Sequence, residues 1–182
     1  MRSRLDIGAA RPSSNRADYL GERLATLMAN VTLGFDPGKT TGFAWFSGPG
    51  LVETEAIPGG YDGFMEWWCE NVDGVIDLAD RIVIERYIPV EGFRGIDQTY
   101  SLEIQGAIRA LASVPVVLQP RSDEAALFNR AFTGDKGEQE RSAWFRERGL
   151  AFSTPHEMDA ATHVLVERKR ARDLAFWRRY WT

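Results

Sequence analysis

The stretch VTLGFDPGKTTGFAWFS (31–47) constrains the chain more than any other. VTLGF (31–35) is an apolar strand running into Asp36, PGKT (37–40) supplies turn residues, and TGFAWFS (41–47) returns as a second strand. GP (48–49) turns again, and LVETEAI (51–57) alternates as a third strand. The period then changes. GFMEWWCENV (63–72) reads as a helix, and RIVIERY (81–87) as a buried strand with β-branched residues before Glu85. QTYSLEIQGAIRALA (98–112) is amphipathic, with Tyr100, Ile104, Ala107, Ile108 and Leu111 along one side. VPVVLQ (114–119) is a fifth strand, and Ser122 caps a helix through 131. GEQERSAWFRERG (137–149) is a polar helix stopped by Gly149, and Pro155 opens a last helix over 156–170.

Three hairpin-joined strands followed by helix, strand, helix, strand and a C-terminal helix is an order with few matches. It predicts an α/β protein with the RNase H-like fold, a mixed five-stranded sheet with helices on both faces. At 182 residues, 44% apolar and 26% charged, the chain suits one folded domain with extensions. The expected division is an N-terminal arm over 1–30, the domain over 31–170, and a basic, aromatic tail over 171–182. Within the arm, ADYLGERLATLM (17–28) is a candidate helix. Cys69 is the single cysteine, so no internal disulfide is expected. The N-terminus has no apolar segment of the secretory kind, and no stretch approaches the ~20 apolar residues of a membrane helix. A soluble protein of the cytoplasm is expected, with no membrane partner.

Three acids stand out by position. Asp36 ends the first strand, Glu85 lies near the end of the fourth, and Asp159 lies in the first turn of the last helix. If the first and fourth strands are neighbours, Asp36 and Glu85 meet at one end of the sheet, and a helix packed across that end delivers Asp159. Crowded carboxylates repel one another without a cation. Hard oxygen ligands of this kind suit Mg²⁺ or Mn²⁺, and two such ions about 4 Å apart can activate a water and stabilise the leaving 3′ oxygen of a phosphodiester. Each acid also has a structural reading: Asp36 as a turn acceptor, Glu85 as the partner of an arginine such as Arg109, Asp159 as a charge on the helix dipole. His156, on the face of Asp159, reads either as a fourth ligand or proton carrier or as a polar helix-start residue. Glu157 turns away from Asp159, and His163, one turn further in, reads as a packed core histidine.

Together these segments resemble the RuvC-like Holliday-junction resolvases. LGFDPGKTTGFAWF is similar to their first motif, IVIERY to the strand carrying the catalytic Glu, and HEMDAATHVLV to the helix opening [DH]-x-x-D. LEIQGAIRALA resembles the helix after the second motif, so the likeness spans about 31–166 in order. The resemblance implies a homodimeric endonuclease that nicks four-way DNA junctions with Mg²⁺ or Mn²⁺, two ions per site, with Asp36, Glu85, His156 and Asp159 as catalytic and metal-binding residues. It also implies a bacterial or phage-infected host cell. Two departures stand out. The turn from Asp36 to Gly42 is one residue shorter than in the bacterial enzymes, and YIPVEGFRGIDQ (87–98) has no close counterpart.

The net charge of −4 is uneven: 1–30 carries +2, 31–166 carries −10, and 167–182 carries +4. An acidic body suited to cations with basic ends suited to a polyanion fits the same reading, although charged ends can equally be solvated. Candidate DNA contacts are Lys39 in the first turn, Tyr87 or Phe93 as junction-probing aromatics, and Arg168, Lys169, Arg170 and Arg172 of the C-terminal segment. The alternative for the tail is that Trp177 and Trp181 pack back on the body or on a dimer mate. Other readings are an RNase H-type or RuvX-like nuclease on RNA-containing substrates, and a DNA-binding module without catalysis. DPGKTTG also resembles the first phosphate loop of the actin-like ATPases, but a second Gly-rich loop is missing. The residue five before the GK glycine is Leu33, so GKTT is not a P-loop.

Overall fold

A computed structural model describes residues 30–88, 96–120, 123–128 and 134–181. Apart from Asn30, the expected N-terminal arm lies outside these residues, as does its candidate helix. Among them, strands β1 (Val31–Asp36), β2 (Thr41–Ser47), β3 (Gly50–Ile57), β4 (Arg81–Glu85) and β5 (Val116–Gln119) form one sheet in the order β3-β2-β1-β4-β5. The two hairpins are antiparallel, whereas β1 pairs β4 and β4 pairs β5 in parallel. Parallel neighbours need crossovers, which helices supply. Helix α1 (Gly60–Asn71), extended by a π-helical turn over Val72–Ile76, leads to β4, and α2 (Ile96–Leu111) lies between β4 and β5. Helices α3 (Asp123–Phe128), α4 (Gly134–Glu147), α5 (Pro155–Arg170) and α6 (Leu174–Tyr180) follow. This is the mixed sheet of an α/β RNase H-like fold.

Alternation along the strands divides the core into two layers. Val31, Leu33 and Phe35 of β1, Phe43 of β2, and Ile82 and Ile84 of β4 face α1 and α2, where Phe64, Trp67, Trp68, Ile104 and Ile108 are buried. Phe35 sits among four rings, with centroids 5.3 Å from Phe43, 5.9 Å from Phe64, 5.8 Å from Trp67 and 6.3 Å from Trp68. Burying such a side chain contributes roughly 2–3 kcal/mol before any ring–ring term. On the opposite face Ala44 and Phe46 pack with Met158, Ala161, Val164 and Leu165 of α5, Phe145 of α4, and Phe176 and Tyr180 of α6. The register shift between Trp45 and Phe46 leaves the extra residue, Val52, on β3, and β2 itself keeps alternating, with Phe43 and Trp45 on the first layer and Ala44 and Phe46 on the second.

Helix α5 is the element that most directly positions the site. Thr154 caps it, accepting from the Glu157 amide at 3.2 Å, and Pro155 follows the cap. Glu157 reaches back to the Ser153 amide at 3.0 Å and also accepts from Thr54 of β3 at 3.0 Å. The helix then lies directly on the backbone of β1 and β2. A Cβ at Gly34 would run into the Ala160 carbonyl and come within 2.7 Å of Val164 Cγ2; one at Gly42 would run into the His156 carbonyl and lie 3.1 Å from the Glu157 amide. Glycine at both places is a matter of space.

The far end of α5 is held by a buried cation. Arg168, 2% exposed, pairs with Asp173 at 3.0 Å and donates to the Asn30 carbonyl. Asp173 in turn caps α6 through the Phe176 amide at 3.1 Å. The C-terminal segment thus folds back, with Trp181 packed on the second layer and its ring 5.1 Å from that of Trp177.

Gly34→Ala is therefore expected to destabilise the protein by about 1–3 kcal/mol, the usual cost of overpacking. Gly106→Ala, at an exposed position of α2 with nothing within 4 Å of the added carbon, should stabilise it by about 0.5–1 kcal/mol. Urea unfolding of both variants measures the contrast; equal and small changes would contradict the close seating of α5.

Candidate metal centre

Asp36 and Glu85 each stand where a strand stops. They are the last residues of β1 and β4, and the parallel register, with Phe35 beside Ile84, sets them on adjacent strand ends. The chain leaving each is tied to α2. Ser101 Oγ donates to the Pro37 carbonyl at 2.7 Å, and the Tyr87 amide donates to Gln105 Oε1 at 3.0 Å. Ser101 and Gln105 are four apart, so one face of one helix anchors both exits.

Helix α5 contributes from the other side. His156, Asp159 and His163, spaced three and four apart, share a face. His163 is fully buried, and one of its ring nitrogens forms a compact group with carboxylate oxygens of Asp36 and Glu85, all within 4.8 Å of one another. His156 Nδ1 lies 3.0 Å from Asp36 Oδ2. Asp159 forms an ion pair with Arg141 of α4. The expected neighbours Asp36 and Glu85 are thus together, His156 is joined to Asp36, and Asp159 lies outside the compact donor group. His163 is the member that sequence reasoning placed in the core. It is buried, as expected of a core residue, yet its ring faces the carboxylates. Its spacing from Asp159 and His156, and the polar Gln119 closing an otherwise apolar strand, were the available signals. Glu157 is turned to Thr54 and Ser153, away from the site, as its helix phase predicts.

Two carboxylates at this separation repel by roughly 3 kcal/mol at an effective dielectric of about 20, so positive charge is favoured between them. Two carboxylate oxygens and an imidazole nitrogen are a donor set that can hold a divalent cation. The field also acts on His156, whose pKa is raised. Its hydrogen bond to Asp36 is the main cause, partial burial works against it, and the charges of Asp36 and Asp159 add to the rise.

The candidate DNA contacts divide by exposure. Lys39 is exposed in the turn beside Asp36, and Tyr87 is half-buried just beyond Glu85, while Phe93 lies outside the described residues. Arg168 does not serve as a phosphate contact: it is buried and committed to Asp173 and the Asn30 carbonyl. Lys169 Nζ donates to the Leu127 carbonyl at 3.1 Å, and Arg170 pairs with Asp123 at 2.6 Å while staying half-exposed. Arg172 is exposed.

No family profile and no curated protein matches the sequence. Solved structures do match. A Thermus thermophilus RuvC structure aligns with a TM-score of 0.56 at 17% identity, covering 78% of this chain and 95% of that one. T. thermophilus RuvC in complex with a Holliday junction substrate aligns with a TM-score of 0.55 at 15% identity, covering 79% and 95%. The chain has the RuvC fold. At such identities the likeness establishes architecture, and the strand-end carboxylates of this RuvC-like sheet rest on their own geometry.

His156 supplies a direct test of that geometry. A histidine whose pKa rises on folding contributes stability that is fully present below its unfolded value of about 6.5 and is lost as pH rises through the folded value. In chelator, ring-proton NMR should show His156 titrating above the ordinary histidine range, and Asp36→Asn should return it toward that range. Identical midpoints in the two proteins would separate His156 from Asp36.

Proposed function

We propose that this protein is a metal-dependent, structure-selective DNA endonuclease that resolves Holliday junctions and acts on other branched DNA, working as a homodimer. The observation that carries the reading is the pairing of Asp36 and Glu85 on adjacent strand ends of a RuvC fold, with imidazole beside them. Divalent ions bound there, two in the proposed site, would neutralise the scissile phosphate and lower the pKa of an attacking water. Asp36 and Glu85 would hold them, His156 and Asp159 would complete the site, and Mg²⁺ or Mn²⁺ suits the oxygen donors.

The remaining steps belong to the chain. Asp36 Oδ2 fixes His156 through Nδ1, which leaves Nε2 as the atom able to take or return a proton at the partly exposed mouth of the site. The α2 anchors hold the exits of β1 and β4 rigid, as a reaction geometry requires. Lys39, exposed in the turn after Asp36, would meet the phosphate backbone, and Tyr87, half-buried two residues after Glu85, would probe a branch point. The reaction is hydrolysis: water adds to phosphorus in line, the P–O3′ bond breaks, and a 5′ phosphate and a 3′ hydroxyl remain.

The test is cleavage of labelled four-way junction, flap, duplex, single strand and RNA–DNA hybrid with Mg²⁺, Mn²⁺, Ca²⁺ or EDTA. Paired symmetric nicks in the junction are expected with Mg²⁺ or Mn²⁺. Asp36→Asn and Glu85→Gln should lower the rate by about 100-fold or more, since even outer partners of metal ligands cost 10–100-fold. Cleavage of the hybrid alone would move the protein to the RNase H class, and binding without cleavage would remove the enzymatic reading.

A further inference from the structure

Gln119 and His163 form a buried pair that the proposed chemistry has not used. Gln119 is the last residue of β5, directly beside Glu85 in the parallel register, and the side chains of Gln119 and His163 are fully buried. The Gln119 amide nitrogen donates to the His163 backbone carbonyl at 3.4 Å, and its Oε1 lies 2.9 Å from His163 Nδ1. A carbonyl only accepts, so the amide NH₂ must face it, and the amide oxygen must face the ring. An oxygen facing Nδ1 requires Nδ1 to carry the proton. In the neutral ring Nε2 then holds the lone pair. This is the outer-partner device by which proteins set the tautomer of a metal-ligating histidine.

We infer that His163 is a metal ligand through Nε2, that Gln119 is its positioning residue, and that this nitrogen tilts the site toward Mn²⁺ over Mg²⁺. The inference rests on the proposed metal site and adds to it. One ring nitrogen of His163 lies within 4.8 Å of Asp36 and Glu85 oxygens, and an Nε2 lone pair turned to them would be repulsive alone and favourable around a shared cation. Imidazole adds more to the binding of first-row transition ions than to that of Mg²⁺, which prefers oxygen and water. Burial removes water as a competing ligand at that position.

The chain contains two histidines, which makes the test decisive. The full chain is loaded with Mn²⁺ and studied by pulsed EPR for ¹⁴N coupling, with histidine-selective ¹⁵N labelling to identify imidazole. In His156→Gln the single remaining imidazole is His163, and the histidine coupling should persist. His156 is partly exposed, so this variant does not depend on repacking a core. Gln119→Leu should weaken Mn²⁺ binding about 10-fold or more by calorimetry, with a smaller change for Mg²⁺. Loss of the coupling in His156→Gln, or equal changes for the two ions in Gln119→Leu, would overturn the inference. Cleavage is read separately. Coupling from His163 in a protein that cuts nothing upholds the ligand and refutes the nuclease, whereas cleavage without that coupling does the reverse.

Discussion

The structure depends on two carboxylates held close together at neighbouring strand ends, where like charges repel. Asp36 and Glu85 gain nothing from this proximity as structural groups. A fold tolerates the arrangement when positive charge, from protons or a bound cation, is drawn into the gap. The surroundings are consistent with that requirement: His156 is drawn toward its charged form by Asp36, and the ring of His163 borders the same oxygens. The sheet holds the acids there through a parallel register that shifts only if all of β4 shifts.

Contact between helix and sheet makes this geometry sharp. Asp36 is opposite Gly42 in the β1–β2 register, and the His156 carbonyl sits over Gly42. The residue that lets α5 approach is therefore the cross-strand partner of the residue that α5 must reach. Gly34 repeats the device one turn along the helix at Ala160, which brings the His163 region down on the ends of β4 and β5. Any side chain at these glycines would lift the helix, and the imidazoles would leave the carboxylates with it.

Much of this was legible in the residues. The hairpins, the Pro155 start of α5 and the acids at the ends of β1 and β4 follow from turn chemistry and period, and the structure places them as expected. Strand ends were less legible: RIVIERY reads as a strand to Tyr87, yet β4 ends at Glu85; the Arg86 amide still donates to the Gln119 carbonyl at 2.7 Å, and the Tyr87 amide then turns to the Gln105 side chain at 3.0 Å. The role of His163 was not legible because burial and ligation make the same demand on a helix face. Only its distance from Asp36 and Glu85 separates them, and that distance depends on how closely α5 sits. The pairing of Asp159 with Arg141 was hidden for a similar reason, since α4 reads as a polar helix rich in charges and which of them meets α5 is decided by tertiary packing.

The C-terminal charge shows why composition alone misleads about surfaces. Six basic side chains over 167–182 read as a basic end facing a polyanion. Folding assigns several of them to other work. Arg168 is enclosed, where burial lowers its pKa and Asp173 offsets the effect, and removing either partner would strand the other. Lys169 lies 5.9 Å from the Trp177 ring and 5.8 Å from the Trp181 ring, and Arg170 is paired with Asp123. The same charges that suggest phosphate contacts therefore hold α6 and α3 against α5, leaving a smaller basic surface than the sequence implies. Aromatic residues follow the same logic: Phe176 and Tyr180 enter the core, and Trp181 packs on its edge. The charges so committed, Arg168 to Arg170, all belong to the last turn of α5, whereas Arg172 and the α6 residues Arg178 and Arg179 stay exposed.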